Sequence, residues 1–408
     1  MYRRRTVDTL LDSLLPNFSA VALDGVTGVG KTSTALQRAD HVFHLEHQDQ
    51  RSLIGADPST IRRPGTTLLD EWPRMARVWD LTRRHIDDGA PPGTHLLTGP
   101  PRPRSDEHIP VVRMRPMSLH ERGLTTPSVS LATLLAQDSP CTATIDGHTS
   151  WTLTDYLQAI ESSGFPGIMN LEPEQRTDMF AAHIRRVIDH ELPEAGHNIR
   201  RPKALRRWLA AYATTVSTTA SCLKLLTTTE GERPPSHDAA LHYQDHLTEL
   251  GVLEPVPGWN PRGEPIARLQ QAPKHQLVDP ALTAFLLGAT AASMSTPHHS
   301  HLAGPLFESL ATLTVRVAAE VLHARVGHLR SRNRDREVDL IVEAPDGRLV
   351  AIEVKLSTTV TEPAVQHLLW LRSKLPQEVA DLVVLTTGNT AYRRRDGVAV
   401  VPLALLGA

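Results

Sequence analysis

Gly25-Val26-Thr27-Gly28-Val29-Gly30-Lys31-Thr32 is the stretch on which the reading of this chain turns. It follows a short β-prone run, Ser19–Asp24, and precedes a stretch predicted to be helical, Ser33–Ala39. A glycine, four residues and then Gly-Lys-Thr, in strand–loop–helix context, is the pattern of a phosphate-binding loop. Glycines let backbone N–H groups converge on phosphate oxygens, and a helix N-terminus adds positive potential. Gly25, Gly28, Val29, Gly30, Lys31, Thr32 and Ser33 would therefore line the phosphates of ATP. Lys31 would neutralise the terminal phosphates, and Thr32 would place its hydroxyl on Mg²⁺. A glycine turn that merely carries a lysine would lack this complete, correctly placed pattern.

About forty residues on, Thr66-Thr67-Leu68-Leu69-Asp70-Glu71 reads as a buried strand ending in two carboxylates. Asp70 suits a Mg²⁺ held through water, and Glu71 suits orientation or deprotonation of the attacking water. A third strand, Thr94–Thr98, ends where the Thr98 hydroxyl could sense the γ-phosphate, although threonine is also simply a good strand residue.

The P-loop, Leu68-Leu69-Asp70-Glu71-Trp72, Leu96-Leu97-Thr98-Gly99 and Arg113-Met114-Arg115-Pro116-Met117-Ser118 occur in that order. Together they resemble a large group of prokaryotic AAA-type ATPases that carry a C-terminal domain of unknown function with a restriction-endonuclease-like core. The resemblance implies ATP binding through Gly30, Lys31 and Thr32, metal and water handling by Asp70 and Glu71, and a sensor at Thr98. One departure stands out. After Gly99 the chain reads Pro100-Pro101-Arg102-Pro103-Arg104, where the group continues with a serine and a longer loop bearing a Gly-Arg pair, so no arginine finger is assigned.

From Leu153 the pattern turns helical, with Met179, Ile184, Val187 and Ile188 on one expected face. Residues 195–229 hold no acid but contain Arg200, Arg201, Lys203, Arg206, Arg207 and Lys224. Helices at Ala204–Ala213 and His237–Leu250 precede a short strand, the order of a winged-helix unit. The acid-free window could face DNA phosphates or could be a solvated face on a packing module.

The last quarter carries a second catalytic pattern. Gly304–Arg325 reads as one amphipathic helix with Glu308 near its start, followed by two alternating strands, Glu337–Glu343 and Leu349–Lys355. A symmetric hairpin centred on Asp346 puts Asp339 opposite Glu353, with Lys355 on the same face. A helix, Pro363–Leu375, and a strand, Asp381–Thr386, follow. This is the order of the PD-(D/E)xK nuclease core, in which carboxylates hold hard cations and a lysine stabilises developing charge. Asp339, Glu353 and Lys355 would be catalytic, and Asp339, Glu353 and Glu308 would hold metal. An exposed hairpin with Glu353 and Lys355 facing solvent is the plain alternative. Arg325, Arg330, Arg332, Arg334 and Arg336 would add phosphate contacts, as would Arg393-Arg394-Arg395, which equally suits a solvated turn.

The rest of the sequence bounds this reading. The chain has 408 residues, 40% hydrophobic and 22% charged, enough for two or three domains without disulfides. With only Cys141 and Cys222, a disulfide framework is excluded, and a soluble protein of the reducing cytoplasm is expected. No apolar stretch reaches the roughly 18–20 residues that span a bilayer. The formal charge of −2 offers no global argument for nucleic acid, so basic clusters at 200–207 and 325–336 must carry any such case. His298-His299-Ser300-His301 reads as a loop rather than a metal tract. The expected architecture is α/β: an AAA-type P-loop domain over 1–150, a helical and winged-helix region over 151–300, and a nuclease-like domain over 301–408. Two functions follow. One is an ATP-binding, ATP-hydrolysing protein whose nucleotide state controls DNA engagement, with Mg²⁺-dependent cleavage left open. The other is a nucleotide-switched regulatory or scaffold protein whose nuclease-like domain holds a protein partner. A small-molecule kinase is disfavoured, since no acceptor-pocket motif accompanies the P-loop.

Overall fold

The computed structural model describes residues 2–100, 108–136, 141–220, 235–261, 272–331 and 336–408. Five strands build the first sheet: β1 (Ala20–Asp24), β2 (His41–His44), β3 (Thr67–Asp70), β4 (His95–Gly99) and β5 (Val111–Arg113). Their order is β2-β3-β4-β1-β5, and every pairing is parallel. A parallel sheet is covered on both faces, so its central strands can be apolar throughout. Accordingly β1, β3 and β4 are buried along their whole length. The P-loop leaves the C-terminal end of β1, and Asp70 and Thr98 end the neighbouring strands, so the functional side chains gather on one sheet edge.

The helix expected at Ser33–Ala39 is shorter, Lys31–Ala35. Beyond it the chain tightens into turns, with the Gln37 N–H on the Thr34 carbonyl and the Arg38 N–H on the Ala35 carbonyl, and the Arg38 side chain reaches Asp8 and Asp12 of the Thr6–Leu14 helix at 2.7 and 2.6 Å. Asp40 accepts the Thr66 N–H, which launches β2 alongside β3.

The second body is a seven-stranded mixed sheet. It uses β7 (Gly147–His148), β8 (Arg325–Arg330), β9 (Glu337–Glu343), β10 (Leu349–Lys355), β11 (Val379–Thr386), β12 (Thr390–Arg393) and β13 (Ala399–Pro402), in the order β7-β12-β13-β11-β10-β9-β8. A further parallel pair joins β6 (Val129–Ser130) to β14 (Leu406–Gly407). The sheets therefore cross the boundary expected at residue 150, since β6 and β7 belong with C-terminal strands. β9 and β10 pair Glu343 with Leu349 and Leu340 with Ile352, the expected symmetric register. Strands β10 and β11 run parallel, and the Glu362–Lys374 helix makes the crossover that parallel neighbours require.

The Ser300–Val321 helix starts earlier than expected and is buried at fourteen positions, among them Leu306, Phe307 and Leu310. Burial on every side between Ala303 and Ala319 marks a core element rather than a surface amphipath. It packs on the Thr6–Leu14 helix, on the Leu153–Ser162 helix and on β8 and β10. Along the chain, the described residues between β7 and β8 are mostly helical. Met179, expected on the apolar face of Pro173–Arg186, is 44% exposed, and Phe180 and Ile184 are the residues buried there. Helices Pro202–Ala213 and His237–Glu249 follow, separated in part by residues 221–234, outside the described set. A ribbon then forms through antiparallel bridges Leu253–Leu277 and Val256–Lys274. Among the described residues no helix is long and apolar enough to cross a membrane.

Candidate functional site

The phosphate loop is backbone geometry first. Gly30 has φ of 105°, a left-handed conformation that L side chains rarely adopt. At Gly25 a Cβ would lie 2.3 Å from the Met114 carbonyl oxygen, so the chain after β5 presses directly on the loop. The Arg5 guanidinium, buried beside Glu121, donates to the Val29 carbonyl at 3.1 Å and the Arg115 carbonyl at 2.8 Å, which ties the loop from below. Because the following helix has five residues, little macrodipole builds up, and an anion here would depend on the loop N–H groups and Lys31. Val29 is buried and Ser33 exposed.

Lys31 is buried and donates to the carbonyls of Gly25 and Val26 at 2.8 and 3.2 Å, with Glu71 3.9 Å away. Burial pushes its pKa down, against the opposing charges of Glu71, Glu191 and Asp70. Thr32 Oγ1 donates to Asp70 Oδ1 at 2.8 Å, and Thr98 Oγ1 donates to the same oxygen at 2.5 Å. The other Asp70 oxygen meets His44 Nδ1 at 2.9 Å. Thr98 thus holds Asp70 in place and also accepts the Glu71 N–H at 3.3 Å. Glu71 sits at φ 54°, an uncommon backbone state for a non-glycine residue and one that clusters at functional sites. Burial raises its carboxyl pKa, while Lys31 opposes that rise. The structure brings together Lys31, Thr32, Asp70, Glu71 and Thr98.

Beside this constellation opens a cavity of about 320 Å³, lined by Thr27, Arg51, Glu71, Arg74, Arg186 and Glu191, among others. Glu191 comes from a π-helical turn, Val187–Glu191, and accepts the Thr27 hydroxyl. Burial raises its pKa too. His44 and Glu191 were not legible as site residues, because neither belongs to a motif and both arrive through tertiary packing. Arg102 and Arg104 lie outside the described residues.

The second acidic cluster also assembles, with an unforeseen member. Lys274, 1% exposed and carried on the ribbon, places Nζ 2.8 Å from Glu308, 3.0 Å from Asp339 and 3.8 Å from Glu337. The other Asp339 oxygen accepts the Val354 N–H at 2.9 Å. Lys355 pairs with Glu353 at 2.6 Å. Burial, with the Asp339 charge beside them, lifts Glu308 to about 7 and Glu353 to about 8. Burial works against ionised Asp339 as well, yet Lys274 and Lys355 hold it below the usual carboxylate range. The donor set of Glu308, Asp339 and Glu353 has the chemistry for a hard cation, but an ammonium already sits between Glu308 and Asp339. A divalent ion fits there only with Lys274 withdrawn. The hairpin is therefore not solvent-facing: Asp339 and Glu353 are both buried.

Several of the arginines expected on phosphate are committed within the protein. Arg393 makes a two-pronged pair with buried Asp381 at 2.8 Å, and Arg394 pairs with Glu362 and Asp396. Arg325 pairs with Glu343, Arg206 with Asp189, and Arg336 stacks over Trp370. Arg200, Arg201 and Lys203 are exposed. Lys224, Arg332 and Arg334 lie outside the described residues.

Two family profiles match parts of the chain. The domain of unknown function DUF4143 covers residues 303–406, and the domain of unknown function DUF8612 covers residues 153–293. No curated protein matches. Among solved structures, a Walker-type ATPase of Pyrococcus abyssi is similar at 13% identity and a TM-score of 0.39, over 70% of this chain and 96% of that one.

Proposed function

We propose that this protein binds and hydrolyses ATP with Mg²⁺ and works as a nucleotide-controlled switch, its nuclease-like domain holding a partner rather than cutting DNA. The observation that carries the first half is the convergence of Lys31, Thr32, Asp70 and Glu71 on a glycine loop. Mg²⁺ would be held by Thr32 with Asp70 behind it, where it would draw charge from the phosphates. Lys31 has two carbonyl partners to leave for a phosphate oxygen, and Glu71, 3.9 Å from the Lys31 ammonium, would orient a water.

Lys274 favours the scaffold reading over cleavage, because it neutralises the carboxylates that a nuclease would give to metal. The same ribbon supports the switch. Asp24, which opens the P-loop, pairs in register with Arg113, and Arg115 two residues on reaches Glu254 and Glu320 at 2.8 Å each. Arg316 donates to the Pro255 carbonyl at 2.9 Å. A shift at the loop thus has a short, buried route to the ribbon and to the C-terminal domain. The order of helices and ribbon supports a winged helix in the middle. Exposed Arg200, Arg201 and Lys203 keep DNA engagement as a second reading.

Hydrolysis measured with and without duplex and single-stranded DNA, with the same reactions run on a gel, tests this. Turnover lost with ATP binding in Lys31→Ala, and DNA left intact in Mg²⁺, are the expected results. Unchanged binding in Lys31→Ala would sink the first half. Nicking that disappears in Asp339→Ala would overturn the second.

A further inference from the structure

Among the described residues, His197, His246 and Glu249 form a group whose ligand atoms all lie within 4.8 Å of one another. Two elements supply them. His246 and Glu249 sit three apart on the His237–Glu249 helix, hence on one face, and His242 lies one turn earlier on the same face. His197 comes from the turn after Leu192–Glu194, where Gly196 takes φ of 93° and the His197 N–H caps back onto the Leu192 carbonyl at 2.9 Å.

The side chains already converge. His197 Nε2 lies 2.8 Å from Glu249 Oε2. The His197 and His246 rings stack with centroids 3.6 Å apart and planes within 18°. The His242 ring also stacks on His246, with centroids 5.8 Å apart. All three members of the group are partly buried, so desolvation is incomplete and an entry path from solvent remains.

We propose that His197, His246 and Glu249 bind a divalent transition-metal ion of the zinc class, with a fourth position open to water or to His242. Two imidazoles and a carboxylate are a donor set suited to zinc, which takes nitrogen at about 2.0–2.1 Å and oxygen at about 2.0–2.2 Å. Four ligands at such radii stand roughly 3.3 Å apart, so the group needs only rotamer adjustment to close on an ion. The donors differ from the all-oxygen set beside the P-loop, so this ion and Mg²⁺ would not compete. Bound metal would pin the turn six residues beyond Glu191 to the His237–Glu249 helix. The His298, His299 and His301 cluster is the rival: its ring centroids lie 4.6 and 6.5 Å apart, and its ligand atoms do not share one sphere.

The test uses the full chain, stripped with a chelator and titrated with Zn²⁺ against a chromophoric competitor, then with Co²⁺ to read the visible bands of tetrahedral coordination. One ion per chain and a rise of several degrees in thermal midpoint are expected. His246→Gln and Glu249→Gln should each weaken binding at least tenfold, whereas His299→Gln should not. Circular dichroism confirms folding, and His197→Gln, in a turn rather than a helix, serves if a helix variant does not fold. Absence of stoichiometric binding overturns the proposal, as does binding unchanged in these variants.

Discussion

Lys274 shows how much one side chain decides. Its ammonium is held by buried Asp339 and partly buried Glu308, and these carboxylates raise its pKa against the cost of burial. Removing one partner of a buried pair typically costs about 3–5 kcal/mol, because it strands the charges left behind. Lys274→Ala should therefore lower stability by roughly that amount in metal-free buffer. If the carboxylates retain the geometry of a cation site, millimolar Mg²⁺ or Mn²⁺ should return part of the loss, measured as a denaturant midpoint. Equal midpoints with and without divalent ion would mean that Lys274 is a packing residue only. Nothing in the sequence near 274 announced this role. Asp339, Glu353 and Lys355 follow a recognisable order, but Lys274 reaches them from another part of the chain, and only the ribbon pairing with Val256 delivers it.

At the scale of elements, the π-helical turn Val187–Glu191 sits at the mouth of the P-loop. Such turns are rare and frequent at functional sites. Its Glu191 carboxylate faces Thr27 and adds negative charge near Lys31, where nucleotide phosphates would come. Glu191→Gln should therefore tighten nucleotide binding several-fold, read with a fluorescent ATP analogue; unchanged or weaker affinity would refute the repulsion. Elements defined by local pattern were legible: β3 ending in Asp70, the β9–β10 register, and the helix at Pro202–Ala213. Elements shaped by neighbours were not. The helix after the P-loop ends at Ala35, where the backbone tightens into turns and Arg38 is claimed by Asp8 and Asp12. The arginines at 393 and 394 looked like a basic patch, and their partners Asp381 and Glu362 are brought in by folding.

The whole molecule carries a pH signature. Burial depresses His95 to about 3, and the charges of His85 and Arg62 deepen the shift. His183 and His328 are likewise pushed down to about 4, mainly by burial. A folded-state pKa below the unfolded value means that the unfolded chain takes up the proton first. Stability from these groups is complete above about pH 6.5 and is lost as pH falls toward 4, each histidine adding a slope of about 1.4 kcal/mol per pH unit within that window. Urea midpoints at pH 7.5, 6 and 5 should fall accordingly, and His95→Gln should flatten the slope. An identical slope in that variant would remove His95 as a cause.

The pairing of β6 with β14 and of β7 with β12 has a kinetic consequence. Two short strands made early in synthesis must wait, without their partners, until β12 and β14 have emerged. Closing such long loops is entropically slow, and contacts of high sequence separation retard folding. A fragment cut at residue 303 would keep β8–β14 but leave β12 without its edge neighbour and β14 without β6, exposing unpaired strand edges of the kind that recruit other chains. Until β12 and β14 emerge and dock, β6 and β7 stand unpaired, and that interval is when the chain is most exposed to self-association.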